Sequence, residues 1–333
     1  MHMITVTPFR PSSASDLASL RGATGWLNSP PLTAAALQGK VVLIDFWTYT
    51  CINWLRTVPY VRAWAARYKE QGLVVIGVHT PEFSFEEDID NVRKAAQERG
   101  VTYPIAIDNN RAIWSGFGNH YWPALYFIDA TGRVRAHHFG EGNYEESEMR
   151  IRQLLAAGGS RPVIDSASVS IEAHGPEVGA DWASLKSPET YVGHSKAEMF
   201  ASPGGAAVNT RHRYALPARL RLNQWALLGE WTVRAEAAVL NAAGGRIAFR
   251  FHARDLHLIM GPAERQGAVR FRVSIDGQPP GAGHGSDVDG QGHGTLTEQR
   301  LYQLIRQSGP VVDRQFEIEF LDSGVEVFAF TFG

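Results

Sequence analysis

The segment KVVLIDFW (40–47) is the strongest constraint on what this chain can become. After Lys40 it is apolar throughout except for Asp45, and it is rich in β-branched residues. A strand sends alternate side chains to opposite faces, so a strand that is apolar on both must be covered on both. Crossover helices on two sides of a sheet supply that cover. The neighbouring sequence fits. From Cys51 to Gln71 the apolar residues Leu55, Val58, Val61, Ala65 and Tyr68 recur at helical spacing, and Gly72 stops the pattern. LVVIGV (73–78) reads as a second buried strand. SFEEDIDNVRKAAQERG (84–100) reads as one helix with an acidic start and a basic end. YPIAID (103–108) predicts a strand, NRAIWSGF (110–117) a short helix, PALYFID (123–129) with RVRAHHF (133–139) a hairpin, and NYEESEMRIRQLLAAG (143–158) a closing helix.

The texture changes at AAGGSRPVIDSAS (156–168). Beyond it, short strands of period two dominate. Val269, Phe271, Val273 and Ile275 alternate with polar residues. So do Phe316, Ile318 and Phe320, then Ile247, Phe249 and Phe251, and Trp231, Val233 and Ala235. Phe328, Phe330 and Phe332 are expected to share one face of the last strand. This pattern predicts an all-β sandwich, jelly-roll-like in form. The glycine-rich stretch 276–294 is expected to be a polar loop outside the core. The domain reading is an N-terminal arm (1–24), an α/β domain (25–158), a linker (159–167) and the β-sandwich (168–333).

With 333 residues, 44% of them hydrophobic, two such cores are affordable. The net charge of −2 excludes bulk attraction to nucleic acid or to an anionic membrane. No apolar run approaches the ~18 residues of a membrane span. The opening MHMITVTPFRPSSASD has no signal-peptide core, so the chain as written is expected in the cytoplasm, or in the periplasm or another extracytoplasmic space if a leader was removed. Cys51 is the only cysteine, so any disulfide it forms is with another molecule. The twelve histidines show no metal-ligand spacing, and no dinucleotide fingerprint or serine-hydrolase elbow is present, so neither metal nor cofactor is expected.

The stretch VLIDFWTYTCINWLRTVP (42–59) resembles the active-site segment of thioredoxins, with Asp45, Phe46, Trp47, Cys51 and Pro59 at the matching positions. YWPAL (121–125) resembles the loop whose proline is cis and faces the cysteine. The intervening strand and helix resemble the insertion of the TlpA/ResA (redoxin) type. GWLNSPPLTAAALQGKVVLIDFWTYTCIN and GVHTPEF resemble, more narrowly, the soluble region of DipZ proteins, whose C-terminal β-sandwich is similar to carbohydrate-binding modules. The resemblance implies a thiol oxidoreductase with Cys51 reactive and Pro123 facing it. It implies Asp45 as a buried carboxylate that moves protons and Glu82 as a proton shuttle near the thiol. Trp122 would hold a substrate backbone. Trp54 stands where the family carries its second cysteine.

A cysteine at a helix start meets unpaired N–H groups and the positive dipole end, which favour the reactive thiolate. Trp47, Trp54 and Trp122 would desolvate it and act the other way. Cys51 and Trp54, three apart, share a helix face, so Trp54 is expected where a resolving sulfur would attack. A mixed disulfide or sulfenic acid on Cys51 then needs an external thiol, glutathione or a partner redox protein, with an oxidised protein or a peroxide as substrate. The peroxidatic motif is half present, with Thr48 three before Cys51 but Ile44 where its proline belongs. Arg56 could steady a thiolate or lie on a solvated face. The competing reading is a non-catalytic thioredoxin-fold scaffold whose sandwich binds protein or glycan, with Tyr191 and the tryptophans of LNQWALLGEW (222–231) as sugar-stacking candidates.

Overall fold

In the computed structural model, residues 16–159, 167–263 and 267–333 are described. The chain divides into two compact units, Met1–Glu172 and Ala173–Gly333.

In the first unit, β2 (Val41–Trp47) is buried at every residue and lies at the centre of a six-stranded sheet. On one side it pairs in parallel with β3 (Leu73–His79), and beyond β3 lie β4 (Ile105–Ile107) and β1 (Gly25–Leu27). On the other it pairs antiparallel with β5 (Ala124–Ile128), which carries β6 (Val134–Phe139) at the sheet edge. Val42, Ile44 and Phe46 face a core closed by Leu17, Leu20, Ile113, Trp114 and Phe117. The last three belong to or adjoin α3 (Ala112–Gly116). The opposite face is covered by α1 (Ile52–Tyr68) and α4 (Tyr144–Ala157), whose Leu55, Val58, Val61, Trp64, Ile151 and Leu155 are buried. Gly72 ends the first crossover in the left-handed region at φ +94°, where glycine carries no Cβ penalty.

Three local expectations change. The arm holds a 3-10 helix, Asp16–Gly22, and its Leu17 and Leu20 belong to the core; residues 1–15 lie outside the described residues. Strand β1 was not legible, because three residues carry no period. The helix read over 84–100 is two elements, a 3-10 turn Ser84–Glu87 and α2 (Ile89–Glu98). Asp88 between them is extended (φ −70°, ψ 114°), and its carboxylate accepts the Asp90 N–H, so a side-chain cap restarts the helix. Most of the linker read at 159–167 lies outside the described residues.

Every pairing between named strands in the second unit is antiparallel. Strands β14 (His293–Leu296), β13 (Val269–Ile275), β16 (Arg314–Phe320), β11 (Arg246–Phe251) and β9 (Trp225–Val233) form one sheet. The path continues from β9 through β10 (Ala238–Leu240), β17 (Val325–Phe332), β12 (Asp255–Pro262) and β15 (Arg300–Arg306). Two short strands join the second sheet, β7 (Thr190–Tyr191) on β17 and β8 (Arg211–Tyr214) on β9. β9 belongs to both sheets: Trp225–Leu228 pair with β11, and Trp231–Val233 pair with β10. Gly229 lies between those stretches at φ +96°, and a Cβ there would come within 3.1 Å of the Gly245 Cα, so the strand turns its corner at a glycine. The sheets face one another through Phe249 against Phe330 at 4.9 Å and Phe316 against Phe330 at 6.1 Å.

Two period-two readings fail in this unit for identifiable reasons. The register of β12 with β17 slips between Ile259 and Met260, so Val325 and Val327 face the core and so do Phe330 and Phe332, while Phe328 is buried outside that cluster. One inserted residue exchanges the faces of a strand. Ala235 is exposed, because β9 ends at Val233. The glycine-rich loop is also less peripheral than its composition suggests. Val288 enters the core, and a Cβ at Gly294 would lie 2.2 Å from the Phe271 ring.

Candidate active site

The site is built where β2 hands over to α1. The Cys51 N–H bonds the Thr48 carbonyl at 3.2 Å, and the Cys51 carbonyl accepts the Leu55 N–H at 3.0 Å. Cys51 is therefore the N-cap of α1, extended at φ −69°, ψ 113° and half-buried. Pairing of Phe46 with Ala124 brings the start of β5 to this same end of β2. The Trp122–Pro123 bond there is cis. The Pro123 carbonyl accepts the Gly140 N–H at 2.8 Å, whereas the Trp122 carbonyl lies 3.7 Å from the Cys51 sulfur. The Trp122 ring is turned away into the fold. Its N–H bonds the Thr80 carbonyl at 3.0 Å, its ring packs 4.4 Å from Trp114, and the Arg111 guanidinium lies 5.3 Å above it. What this residue offers beside the thiol is backbone.

Beneath the thiol loop lies an aromatic layer. Trp47 and Trp54 are stacked at 4.2 Å with planes 19° apart, and both are 0% exposed. The Trp54 N–H donates to the Asp45 carboxylate at 3.2 Å, and the Tyr103 hydroxyl donates to the same oxygen at 3.4 Å. Neither tryptophan can meet a substrate arriving from solution, which corrects their placement among the substrate-positioning residues. The helix face that Trp54 shares with Cys51 continues inward to the sheet, and a large apolar ring gains more by burial there than at the rim. Gly77 makes room for this layer: a Cβ there would sit 2.8 Å from the Trp47 ring nitrogen. Burial pushes the Asp45 carboxyl up to about 7, against the lowering effect of the bonds from Trp54 and Tyr103.

The buried glutamate beside the loop is Glu86, not Glu82. Glu86 is 0% exposed; it accepts the Thr50 hydroxyl at 2.6 Å and the backbone N–H groups of Glu82 and Phe83 at 2.7 and 3.0 Å. Burial raises its carboxyl above the ordinary range, and bonds from Thr50 and Thr48 offset part of that rise. Glu82, half-buried, contributes its main chain to this arrangement. The signal for Glu86 was an acid in the first turn of a helical segment, the position that reaches back to cap it. His79 was also missed. It ends β3 beside Trp47, is 0% exposed, and burial lowers its pKa to about 3, so it is neutral at physiological pH. The Thr48 hydroxyl lies 3.5 Å from its ring.

Arg56 does not lie on a solvated face. It is 2% exposed and pairs at 2.9 Å with Glu141, itself 6% exposed, tying α1 to the loop after β6. Removing one partner strands a buried charge. Arg56→Met is expected to cost about 3–5 kcal/mol, and Arg56→Met with Glu141→Leu to recover most of it. Urea unfolding followed by tryptophan fluorescence reads both.

In the second unit, Trp225 and Trp231 are 1% and 0% exposed and belong to the core, with their N–H groups bonded to the carbonyls of Glu198 and Leu228. They cannot stack on a sugar. Tyr191 lies under the Lys196 ammonium at 4.3 Å. Asp287 is paired with Arg300. Among the described residues no cluster of metal-ligating side chains occurs and no helix is long and apolar enough to cross a membrane.

Residues 26–153 match the Redoxin family, and 187–333 match the family described as thioredoxin-like C-terminal domain. The thiol-disulfide oxidoreductase YkuV of Bacillus subtilis is 31% identical over 140 residues, which are 42% of this chain and 94% of YkuV. The chain belongs to the redoxin family. This redoxin is also 38% identical over 327 residues to the protein DipZ of Mycobacterium bovis and of Mycobacterium tuberculosis. The match takes in 96% of the chain and 43% of DipZ, so the chain spans less than half the length of those relatives. A solution structure of a thioredoxin-like protein in the oxidised form aligns with 40% of the redoxin and 90% of its own chain, at 32% identity and a TM-score of 0.38.

Proposed function

We propose that this protein is a thiol-disulfide oxidoreductase that works through the single sulfur of Cys51. The observation that carries the reading is the half-buried Cys51 sulfur at the start of α1, 3.7 Å from the carbonyl that precedes cis-Pro123. A thiolate there is favoured by the helix N-terminus and stands beside a backbone acceptor for an extended substrate. Its attack on a substrate disulfide forms a Cys51–sulfur bond and breaks the substrate S–S bond, and the second substrate sulfur leaves as thiolate. With Trp54 in place of a second cysteine, an external thiol such as glutathione or a partner redox protein must complete the cycle. It attacks the mixed disulfide, expels one sulfur as thiolate, and remains bonded to the other. Disulfide exchange is favoured over peroxide reduction because the Thr48 hydroxyl, the threonine of the peroxidatic motif, lies near His79 and also serves Glu86. Asp45 and Glu86 are the two buried carboxyl groups whose protonation accompanies the chemistry.

The native protein incubated with glutathione disulfide at neutral pH is expected to gain one glutathione adduct by intact mass spectrometry. Cys51→Ser should gain none, and reduced glutathione should reverse the wild-type adduct. If Cys51 reacts only after unfolding, the protein is a scaffold that retains the fold without the chemistry.

A further inference from the structure

Seven non-glycine residues among those described hold a positive φ. Five of them are Asn or Asp, which tolerate the left-handed region, and a sixth is Met199. The seventh is Arg111, at φ +56° and ψ 26°. A residue with a long side chain is strained there, and such strain persists only where its surroundings hold it. The turn itself does not ask for arginine. The Arg111 N–H bonds the Asp108 carbonyl at 2.9 Å and its carbonyl accepts the Ser115 N–H at 2.9 Å, as another residue's could. The side chain is what is particular. Its Nη2 donates to the Pro81 carbonyl at 2.7 Å, and its guanidinium lies 5.3 Å over the Trp122 ring and 5.6 Å over the Trp114 ring. The neighbouring Thr80 carbonyl accepts the Trp122 ring N–H at 3.0 Å. Consecutive carbonyls of one turn thus grip the cation and the indole. That turn is tied down through the Thr80 hydroxyl to the buried Asp108 carboxylate, which also accepts the Ile113 and Trp114 N–H groups.

We infer that Arg111 is a positioning residue for the thiol: it clamps the Trp122 indole to Thr80 and Pro81 and so fixes the Trp122 carbonyl against the Cys51 sulfur. This rests on the reading of Cys51 as the reacting thiol and adds a residue that sets its ionisation. The Cys51 S–H donates to that carbonyl at 3.7 Å. A thiolate has no hydrogen to give and would face the negative end of the C=O dipole, so a carbonyl held there favours the thiol. The helix N-terminus acts the other way. The clamp therefore keeps Cys51 protonated to a higher pH than the helix start alone would. The positive charge of Arg111, acting by itself, would favour the thiolate, so the two roles open to this side chain have opposite signs. Lysine cannot stand in for the clamp. An ammonium keeps the charge but lacks the planar group that covers an indole while donating to a carbonyl.

The test is the rate at which iodoacetamide, an uncharged reagent, alkylates Cys51 in the full chain between about pH 5 and 10, where only the thiolate reacts. The proteins compared are the wild type, Arg111→Lys, Arg111→Met and Arg111→Gly. Each substitution is expected to move the half-maximal rate to lower pH. Alkylation on the acid side should be about threefold faster, with the same plateau at high pH, the effect of losing one weak hydrogen bond to the thiol. The common plateau shows that access to the sulfur is unchanged. Arg111→Gly relieves the left-handed strain as it removes the clamp, so it carries the test if the longer replacements fail to fold. Asp45, His79, Glu82, Glu86, His120 and the Arg56–Glu141 pair are common to all four proteins, so differences between the profiles report Arg111. A profile moved to higher pH in Arg111→Met and unmoved in Arg111→Lys would make Arg111 a charge and not a clamp. Identical profiles, or a plateau that rises in every variant as in a loosened site, would also overturn the inference, and all three results leave the Cys51 chemistry intact. A native thiol inert at every pH would remove the proposed function, and the clamp with it.

Discussion

Asp45→Asn is expected to stabilise the first unit by about 2–4 kcal/mol at pH 8 and to change little at pH 4. In the fold Asp45 is fully enclosed and its pKa stands near 7, against 3.8 for an ordinary aspartate. A carboxyl whose pKa is raised on folding is neutral in both states below about pH 4. As pH rises it ionises first in the unfolded chain, so stability falls steadily until the folded pKa is passed. The span between the two values converts to about 4 kcal/mol at most. Asparagine carries no charge to bury, and its oxygen can still accept from Trp54 and Tyr103. Its amide would occupy the site of the second carboxylate oxygen, which is buried without a partner, as is the hydroxyl of the protonated acid. At pH 4 the two side chains are therefore nearly equivalent. His79 works in the opposite sense. It is held neutral, so its contribution is present above about pH 6.5 and is lost as pH falls toward 3. Wild type and variant share His79, so the difference between their urea-unfolding curves from pH 4 to 8 isolates Asp45. A difference that does not grow with pH would mean that Asp45 ionises in the fold as it does in water.

The second large effect is expected from Trp54→Cys. A sulfur three residues after Cys51 attacks a mixed disulfide within the same chain, at an effective concentration in the millimolar range or above. Against micromolar external thiol, that favours internal resolution by roughly a thousandfold. The glutathione adduct of the wild type should therefore fail to accumulate, and the oxidised variant should be lighter than the reduced one by two hydrogens. The structural cost is separate. Trp54 leaves the stack with Trp47 and its bond to Asp45, and emptying a buried indole site costs about 3–5 kcal/mol. Trp54→Ala carries the same loss without the new sulfur, so it should be equally unstable and keep the adduct. Persistence of the adduct in Trp54→Cys would show that Cys51 and position 54 cannot meet, and that something other than a missing sulfur defines the chemistry.

Much of this was readable because it is local. A strand apolar on both faces announces β2 and the layers above and below it. Cys51 at the junction of such a strand with an amphipathic helix announces an N-cap thiol. The resemblance of YWPAL to the thioredoxin cis-proline loop implies the loop opposite, and period two announces the sheets of the second unit. The errors lie where a decision depends on a distant partner. Glu82 and Glu86 are both acids at the start of a helical turn, and the one that became buried is the one that Thr50, thirty-six residues earlier, could reach. Trp54 has the helical phase of Cys51, but the ring of Trp47 and the carboxylate of Asp45 draw it under the loop. Phe328 has the phase of Phe330 until the register slip with β12 changes it.

The sequence by itself determined the element types, the two-unit order and the thiol at the start of α1, because hydrophobic period, caps and proline act over a few residues. Only the tertiary structure decided which carboxyl is enclosed, which tryptophans are sealed from solvent, and that the Tyr121 and Phe139 rings stand together. Burial and pairing at those positions are set by contacts between segments far apart in the chain, and desolvation exists only once both have closed.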